Sequence, residues 1–122
     1  MVAAEAATRM VICLREDDRL GPRRLYEVII ERAREDGMAG ATVWRGIDGF
    51  GPSGRIQGGS TPGVSGQPPI AVEVLDTRER VEAFLGVVRE LAPHCSVIWE
   101  PVLLARFPSS VQSTLDDPVL QL

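Results

Sequence analysis

The residues best suited to chemistry lie in Gly46-Ile-Asp-Gly-Phe-Gly51, between the cations Arg45 and Arg55. Glycines let successive backbone N–H groups turn inward and form a nest for an anion. Glycine spacings of three and then two are not the dinucleotide fingerprint, and no helix follows to offer its N-terminus to a phosphate. The competing reading of the same residues is a hinge at a strand end. Trp44 and Trp99 stack bases if exposed; as core or interface anchors they need no ligand, and that is the favoured reading. His94, the single histidine, falls at the end of a helix, where a cation is favourable. It has no Cys/His partner pattern for zinc. Glu16-Asp17-Asp18 reads as a solvated turn, with a Mg²⁺ site as the alternative. Glu73, inside an apolar run, needs a partner, and Arg45 is the candidate. Cys13 and Cys95 lack metal-ligand spacing and read as reduced, structural residues.

What is missing constrains the chemistry further. All thirteen basic residues are Arg, and there is neither Lys nor Asn. A P-loop lysine, a Schiff-base lysine and any catalytic asparagine are therefore excluded. No nucleophile with a base and an orienting group is visible, so the expectation is a protein that is not an enzyme. A net charge of −4 offers no clustered basic face for nucleic acid. No apolar run reaches the ~18–20 residues of a membrane span, and the first residues lack the pattern of a signal peptide. A cytoplasmic protein, not itself embedded in a membrane, is expected.

The elements that position these residues follow from periodicity. Residues 1–7 read as a disordered lead-in, and Thr8–Leu14 as a first strand. Pro22 suits a first helical position. Leu25, Val28, Ile29 and Ala33 then make a helical stripe up to Gly37, which suits a left-handed stop. Strands follow at Ala41–Ile47 and Ile70–Leu75. Asp76 and Glu79 look like a capping pair for a second helix with the stripe Val81, Phe84, Leu85, Val88 and Leu91. Ser96–Leu104 is the fourth strand, with Pro101 marking an edge or a bulge. Residues 108–122 read as a polar tail.

The order β-α-β-β-α-β predicts an α+β, ferredoxin-like domain over residues 8–107. Its four-stranded antiparallel sheet carries both helices on one face, with the first and third strands central. The second and third strands form a hairpin, and the long loop 48–67 projects from its tip. Such length is usually functional or disordered. The strands are apolar on both faces, but two helices cover only one. The uncovered face is expected to bury itself against other copies.

The stretch from Leu25 through Gly40-Ala-Thr-Val-Trp-Arg-Gly-Ile-Asp-Gly-Phe-Gly51 resembles the core of the family known as domain of unknown function (DUF) 190. Asp76-Thr77 and Ala83-Phe84-Leu85 fit it too, and the resemblance covers residues 9–107. That family is similar to the PII signal-transduction proteins. The resemblance implies a ferredoxin-like homotrimer and a loop 48–67 that matches the PII T-loop, the arm that engages target proteins. It also implies an adenine nucleotide in a cleft between subunits, at positions matching Gly46, Asp48, Gly49, Phe50 and Gly51. Arg45, Arg55 and Arg89 join these as candidate ligand-binding cations. The link Ala92–Ser96 is shorter than the second phosphate-gripping loop of PII proteins, and Arg89 and His94 are the basic residues near it. The loop lacks the tyrosine that some PII proteins modify; Tyr26 falls in the first helix.

Three functions stay open at this point. One is a regulator whose loop, ordered by a small effector such as an adenine nucleotide, docks on a transporter or an enzyme. Another is an interaction module that needs no ligand. A third is a small metal-dependent enzyme using Glu16-Asp17-Asp18.

Overall fold

The computed structural model describes residues 3–50, 57–58 and 68–107. The chain runs β1 (Ala3–Arg15), β2 (Arg19–Leu20), β3 (Arg23–Arg24), α1 (Leu25–Glu35), β4 (Gly40–Arg45), β5 (Asp48–Gly49), β6 (Gln57–Gly58), β7 (Pro69–Asp76), α2 (Arg78–Leu91) and β8 (Ser96–Arg106). Four strands form one antiparallel sheet in the order β4-β7-β1-β8. The expected α+β, ferredoxin-like pattern is present, with the first and third long strands central.

Period-two alternation assigns the sheet faces. Met10, Ile12, Ile70, Val72 and Val74 point to the helices and are almost fully buried. Leu25, Ile29 and Ala33 of α1 and Val81, Phe84 and Val88 of α2 close over them. Each large side chain so buried contributes about 1.5–3 kcal/mol relative to exposure, so these two stripes carry most of the core.

Local chemistry ends the elements. Asp36 is the C-cap of α1, and Gly37 follows at φ +71°. Met38 N–H bonds to Ala33 O and Gly37 N–H to Arg34 O, both at 3.0 Å. This is the Schellman pairing, which satisfies carbonyls the helix itself leaves open. At α2 the N-cap is Thr77, whose Oγ1 accepts from Arg80 N–H at 3.3 Å. Asp76, expected as the cap, instead accepts from Ala39 N–H at 2.9 Å and Thr77 N–H at 2.6 Å, and from Arg80 Nε at 2.9 Å. Arg80 also donates to the carbonyls of Asp36 and Gly37, at 2.8 Å each. One arginine thus ties the end of α1 to the start of α2.

Three boundaries differ from expectation. The first strand begins at Ala3, so residues 3–7 are not a disordered lead-in: they pair with β8 from Ala3↔Arg106 to Ala7↔Val102. Alternation hid this, because Ala3, Ala4, Ala6 and Ala7 carry little β signal. Pro22 does not open α1; it sits in the turn between β2 and β3, and the helix starts at Leu25. The fourth strand continues to Arg106. Pro101 lies on β8, an edge strand, as its missing N–H requires. The tail 108–122 lies outside the described residues.

Among the described residues nothing covers the face opposite the helices. Trp44 and Ile98 stand on it, each more than half exposed.

Candidate functional site

The loop base is built by close backbone approach. Gly46 N–H donates to Pro69 O at 2.8 Å, where β4 and β7 end together. A Cβ on Gly46 would lie 2.7 Å from Pro69 Cγ, inside any real contact, and one on Gly49 would lie 3.4 Å away. Glycine at 46 is thus a packing requirement. Beyond it, Asp48 pairs with Gly58 and Gly49 with Gln57 in a two-residue ladder. This ladder sits inside the segment expected to be a loop, and its glycine- and glutamine-rich strands give no apolar alternation to detect it by.

A cleft of about 840 Å³ opens beside this base. Small-molecule sites are typically about 300–1,000 Å³, so the size suits an organic ligand. Its walls come from the ends of four elements. Cys13, Leu14 and Arg15 close β1, Trp44 and Arg45 close β4, Pro69 to Ala71 open β7, and Leu91 to Ser96 link α2 to β8. Asp18 of the turn after β1, Arg19 of β2 and Leu25 at the start of α1 also line it.

The charges around the cleft are arranged by pairing. Arg45 Nη2 contacts Glu16 Oε1 closely, and Arg24 Nη1 lies 3.7 Å from the same oxygen. The Glu16 carboxylate, hydrogen-bonded to Arg45, raises the Arg45 guanidinium, and Tyr26 adds to this. Asp18 Oδ2 accepts the Arg15 backbone N–H at 2.9 Å, closing the turn. The acidic turn is therefore spoken for by arginines. Among the described residues no group of three or more His, Cys, Asp and Glu side chains is placed to hold a metal. Arg19 donates to Pro22 O at 3.1 Å and has no carboxylate partner among the described residues. His94 is exposed in the turn after α2 and faces the same space.

Of the candidate ligand-binding set, Arg45, Gly46, Gly49 and Phe50 line the cleft. Arg89 stands exposed on α2 and is not part of the lining. Asp48 is placed by its backbone in β5. Gly51 and Arg55 lie outside the described residues. The expected Glu73–Arg45 pair does not form: Arg45 turns toward the helix side to Glu16, while Glu73 bonds Arg9 and Trp44 on the open face. Adjacent register positions point to opposite faces, so Arg45, opposite Ile70, never faces Glu73.

A family model described as "DUF190: Uncharacterized ACR, COG1993" matches residues 7–104. The chain belongs to the DUF190 family. A UPF0166 protein of Aquifex aeolicus (strain VF5) is 32% identical over 74 residues, which is 61% of this chain and 70% of that protein. A UPF0166 protein of Methanocaldococcus jannaschii is 29% identical over 87 residues, 71% of this chain and 80% of the relative. In structure, the DUF190 chain is similar to CPII, a nitrogen regulatory PII-like protein from Thiomonas intermedia K12 solved with ADP, AMP and bicarbonate. The TM-score is 0.65 at 15% identity, covering 87% of this chain and 94% of CPII. It is also similar to a putative PII-like signaling protein of Thermus thermophilus, with TM-score 0.56 at 17% identity, covering 88% and 96%. The fold of this DUF190 member is PII-like.

Sequence reasoning did not place Cys13, Arg15, Arg19 and Cys95 in the DUF190 cleft. They are scattered along the chain and share no motif. Only the pairing Cys13↔Ser96 brings the end of β1 beside the α2–β8 link. Burial raises the Cys95 thiol above its ordinary range, with nearby Cys13 and Asp18 adding to this. That marks it as an unreactive wall residue.

Proposed function

We propose that this protein is a non-enzymatic, PII-like regulator of the cytoplasm. It assembles as a homotrimer, binds an adenine nucleotide in the cleft at the loop base, and uses the 48–67 loop to engage a transporter or an enzyme. The observation that carries this reading is the cleft itself: a space of about 840 Å³ whose floor includes Gly46 and Gly49 and whose rim carries Arg15, Arg19, Arg45 and His94. Those groups suit a phosphate-bearing ligand, since guanidinium groups bind phosphate oxygens in charge-assisted pairs. The nucleotide class is supported by CPII, a fold relative whose structures contain ADP and AMP.

Glu16 tempers this cationic rim by holding Arg45. A phosphate would compete with Glu16 for that guanidinium, and the competition links ligand binding to the strand end from which the loop departs. A ligand that binds one loop arrangement better than another shifts the population toward it. Titration calorimetry with ADP, AMP and ATP tests the ligand. Saturable binding is expected, and no heat at millimolar nucleotide would remove the nucleotide from the reading.

A second reading has its own support. The β5–β6 ladder joins the two sides of the loop base by backbone pairing. On this reading the loop is an interaction module by itself. Deleting residues 52–67 separates structure from recognition: partner capture is lost in both readings, while the assembly stays intact. Nucleotide dependence of that capture distinguishes the two.

A further inference from the structure

The arginines around the cleft differ in how far their charge is already balanced. Arg15 Nε lies 3.4 Å from Asp18 Oδ1 and 3.9 Å from Asp17 Oδ1. Arg45 and Arg24 share the Glu16 carboxylate. Arg19 donates from Nη1 to the Pro22 carbonyl at 3.1 Å and meets no carboxylate among the described residues. A guanidinium presents its N–H donors in a rigid planar fork. Arg19 therefore brings an unbalanced charge and unused donors to the cleft wall.

Its place in the hairpin is a second, independent observation. β2 and β3 pair antiparallel, with Arg19 directly opposite Arg24. Residues so paired project to the same side, and like charges directly opposite destabilise the pairing. Glu16 offsets Arg24 alone, at 3.7 Å. The hairpin thus holds two cations side by side, and an anion on Arg19 would relieve their repulsion.

The hairpin is also fastened on both sides. Leu25 N–H donates to Asp18 O at 2.8 Å, and Asp18 Oδ2 accepts the Arg15 N–H at 2.9 Å. Arg23 Nη2 donates to Glu31 Oε1 at 2.7 Å, which ties β3 to α1. A cation on so well tethered a turn is in place before a ligand arrives, and less ordering is left to be done on binding.

Building on the proposed nucleotide site, we infer that Arg19 is the anchor for the ligand's phosphate. Its guanidinium binds phosphate oxygens through charge-assisted hydrogen bonds and displaces no carboxylate in doing so. Arg45 is the second grip, because it must first give up Glu16. The repulsion between Arg19 and Arg24 is then a local cost kept for binding, of the kind that trades stability for function.

The test uses Arg19→Gln and Arg19→Lys, with calorimetry against ADP and inorganic pyrophosphate and thermal unfolding without ligand. Arg19 is exposed, so both variants are expected to fold, and circular dichroism checks this. Arg19→Gln is expected to weaken binding of both probes about tenfold, with a melting temperature equal to or above that of the unaltered chain. Arg19→Lys keeps the charge without the fork and is expected to recover part of the affinity. A residue that only braces the hairpin gives the opposite pattern, a lower melting temperature with unchanged affinity, and that result overturns the anchor. ADP bound equally well by Arg19→Gln and by the unaltered chain overturns it too, and leaves the nucleotide reading standing. Pyrophosphate bound by the unaltered chain without ADP, and lost in Arg19→Gln, supports the anchor and removes the nucleotide. An unaltered chain that binds neither probe at millimolar concentration removes both.

Discussion

Gly46 and Pro69 are held together by one hydrogen bond of 2.8 Å and by the absence of a side chain at Gly46. The bond closes the β4–β7 hairpin at the point where the loop leaves the sheet. The missing Cβ lets the Pro69 ring lie against the backbone. Gly46→Ala must push Pro69 away, and overpacking of this kind costs about 1–3 kcal/mol. A urea midpoint equal to that of the unaltered protein would show that the loop base is looser than this contact implies.

Glu16 and Arg45 form an internal competitor for any anion in the cleft. Glu16→Gln should raise affinity for ADP severalfold, because Arg45 is then released to the ligand. Arg45→Gln should lower affinity about tenfold, or roughly 1.4 kcal/mol. Calorimetry on both variants checks the pair. Opposite signs are required; equal binding by Arg45→Gln takes Arg45 out of the site.

Asp76 and Glu73 predict how stability responds to acid. Burial pushes the Asp76 carboxyl up, but Thr77 N–H, Ala39 N–H and Arg80 together hold it below its ordinary value. Glu73 is held low by Trp44 N–H and Arg9, against opposing burial. An unfolded Asp or Glu titrates near pH 4, at about 3.9 and 4.3. Each group then contributes stability that is fully present above those values and lost as pH falls through the lower folded value. Stability should therefore drop below about pH 4, and Asp76→Asn should flatten that drop while costing about 1–3 kcal/mol at neutral pH. Chemical denaturation from about pH 7 down to about pH 2.5, a span that brackets both unfolded values, measures both. An unchanged acid slope in Asp76→Asn contradicts the assignment.

Gly37 adopts φ +71° and closes the Schellman turn after α1. Its Cβ position is open apart from Arg80 Nη2 at 3.5 Å, so strain rather than clash is the cost of a side chain. Gly37→Ala should destabilise by about 1 kcal/mol, seen as a lower melting temperature with an unchanged circular dichroism spectrum. A melting temperature that does not move would mean that the turn relaxes at no cost.

Much of the architecture was legible in the chain. The stripes Leu25–Ile29–Ala33 and Val81–Phe84–Val88 announce helices because their period matches about 3.6 residues, and the runs at Met10 and Val72 announce strands. Gly37 and Pro101 announced a stop and an edge, since each has one geometry it serves. The extension of the first strand over Ala3–Ala7 was not legible, because alanine is neutral and only the partner strand decides its pairing. The cap at Thr77 was missed for a related reason. Asp76 is as good a cap by type, and only the approach of Ala39 and Arg80 commits it elsewhere.

Local spacing and residue type were enough for the order of the four long strands and two helices, the core stripes, the long insertion after β4 and the exclusion of lysine- and asparagine-based chemistry. The tertiary structure alone decided that Arg45 faces Glu16, that Glu73 faces Arg9 and Trp44, and that Cys13, Arg19 and His94 share one cleft. Those outcomes depend on strand register and on which element ends meet in space. A shift of one residue would reverse the facings within the sheet, and no local pattern records that choice.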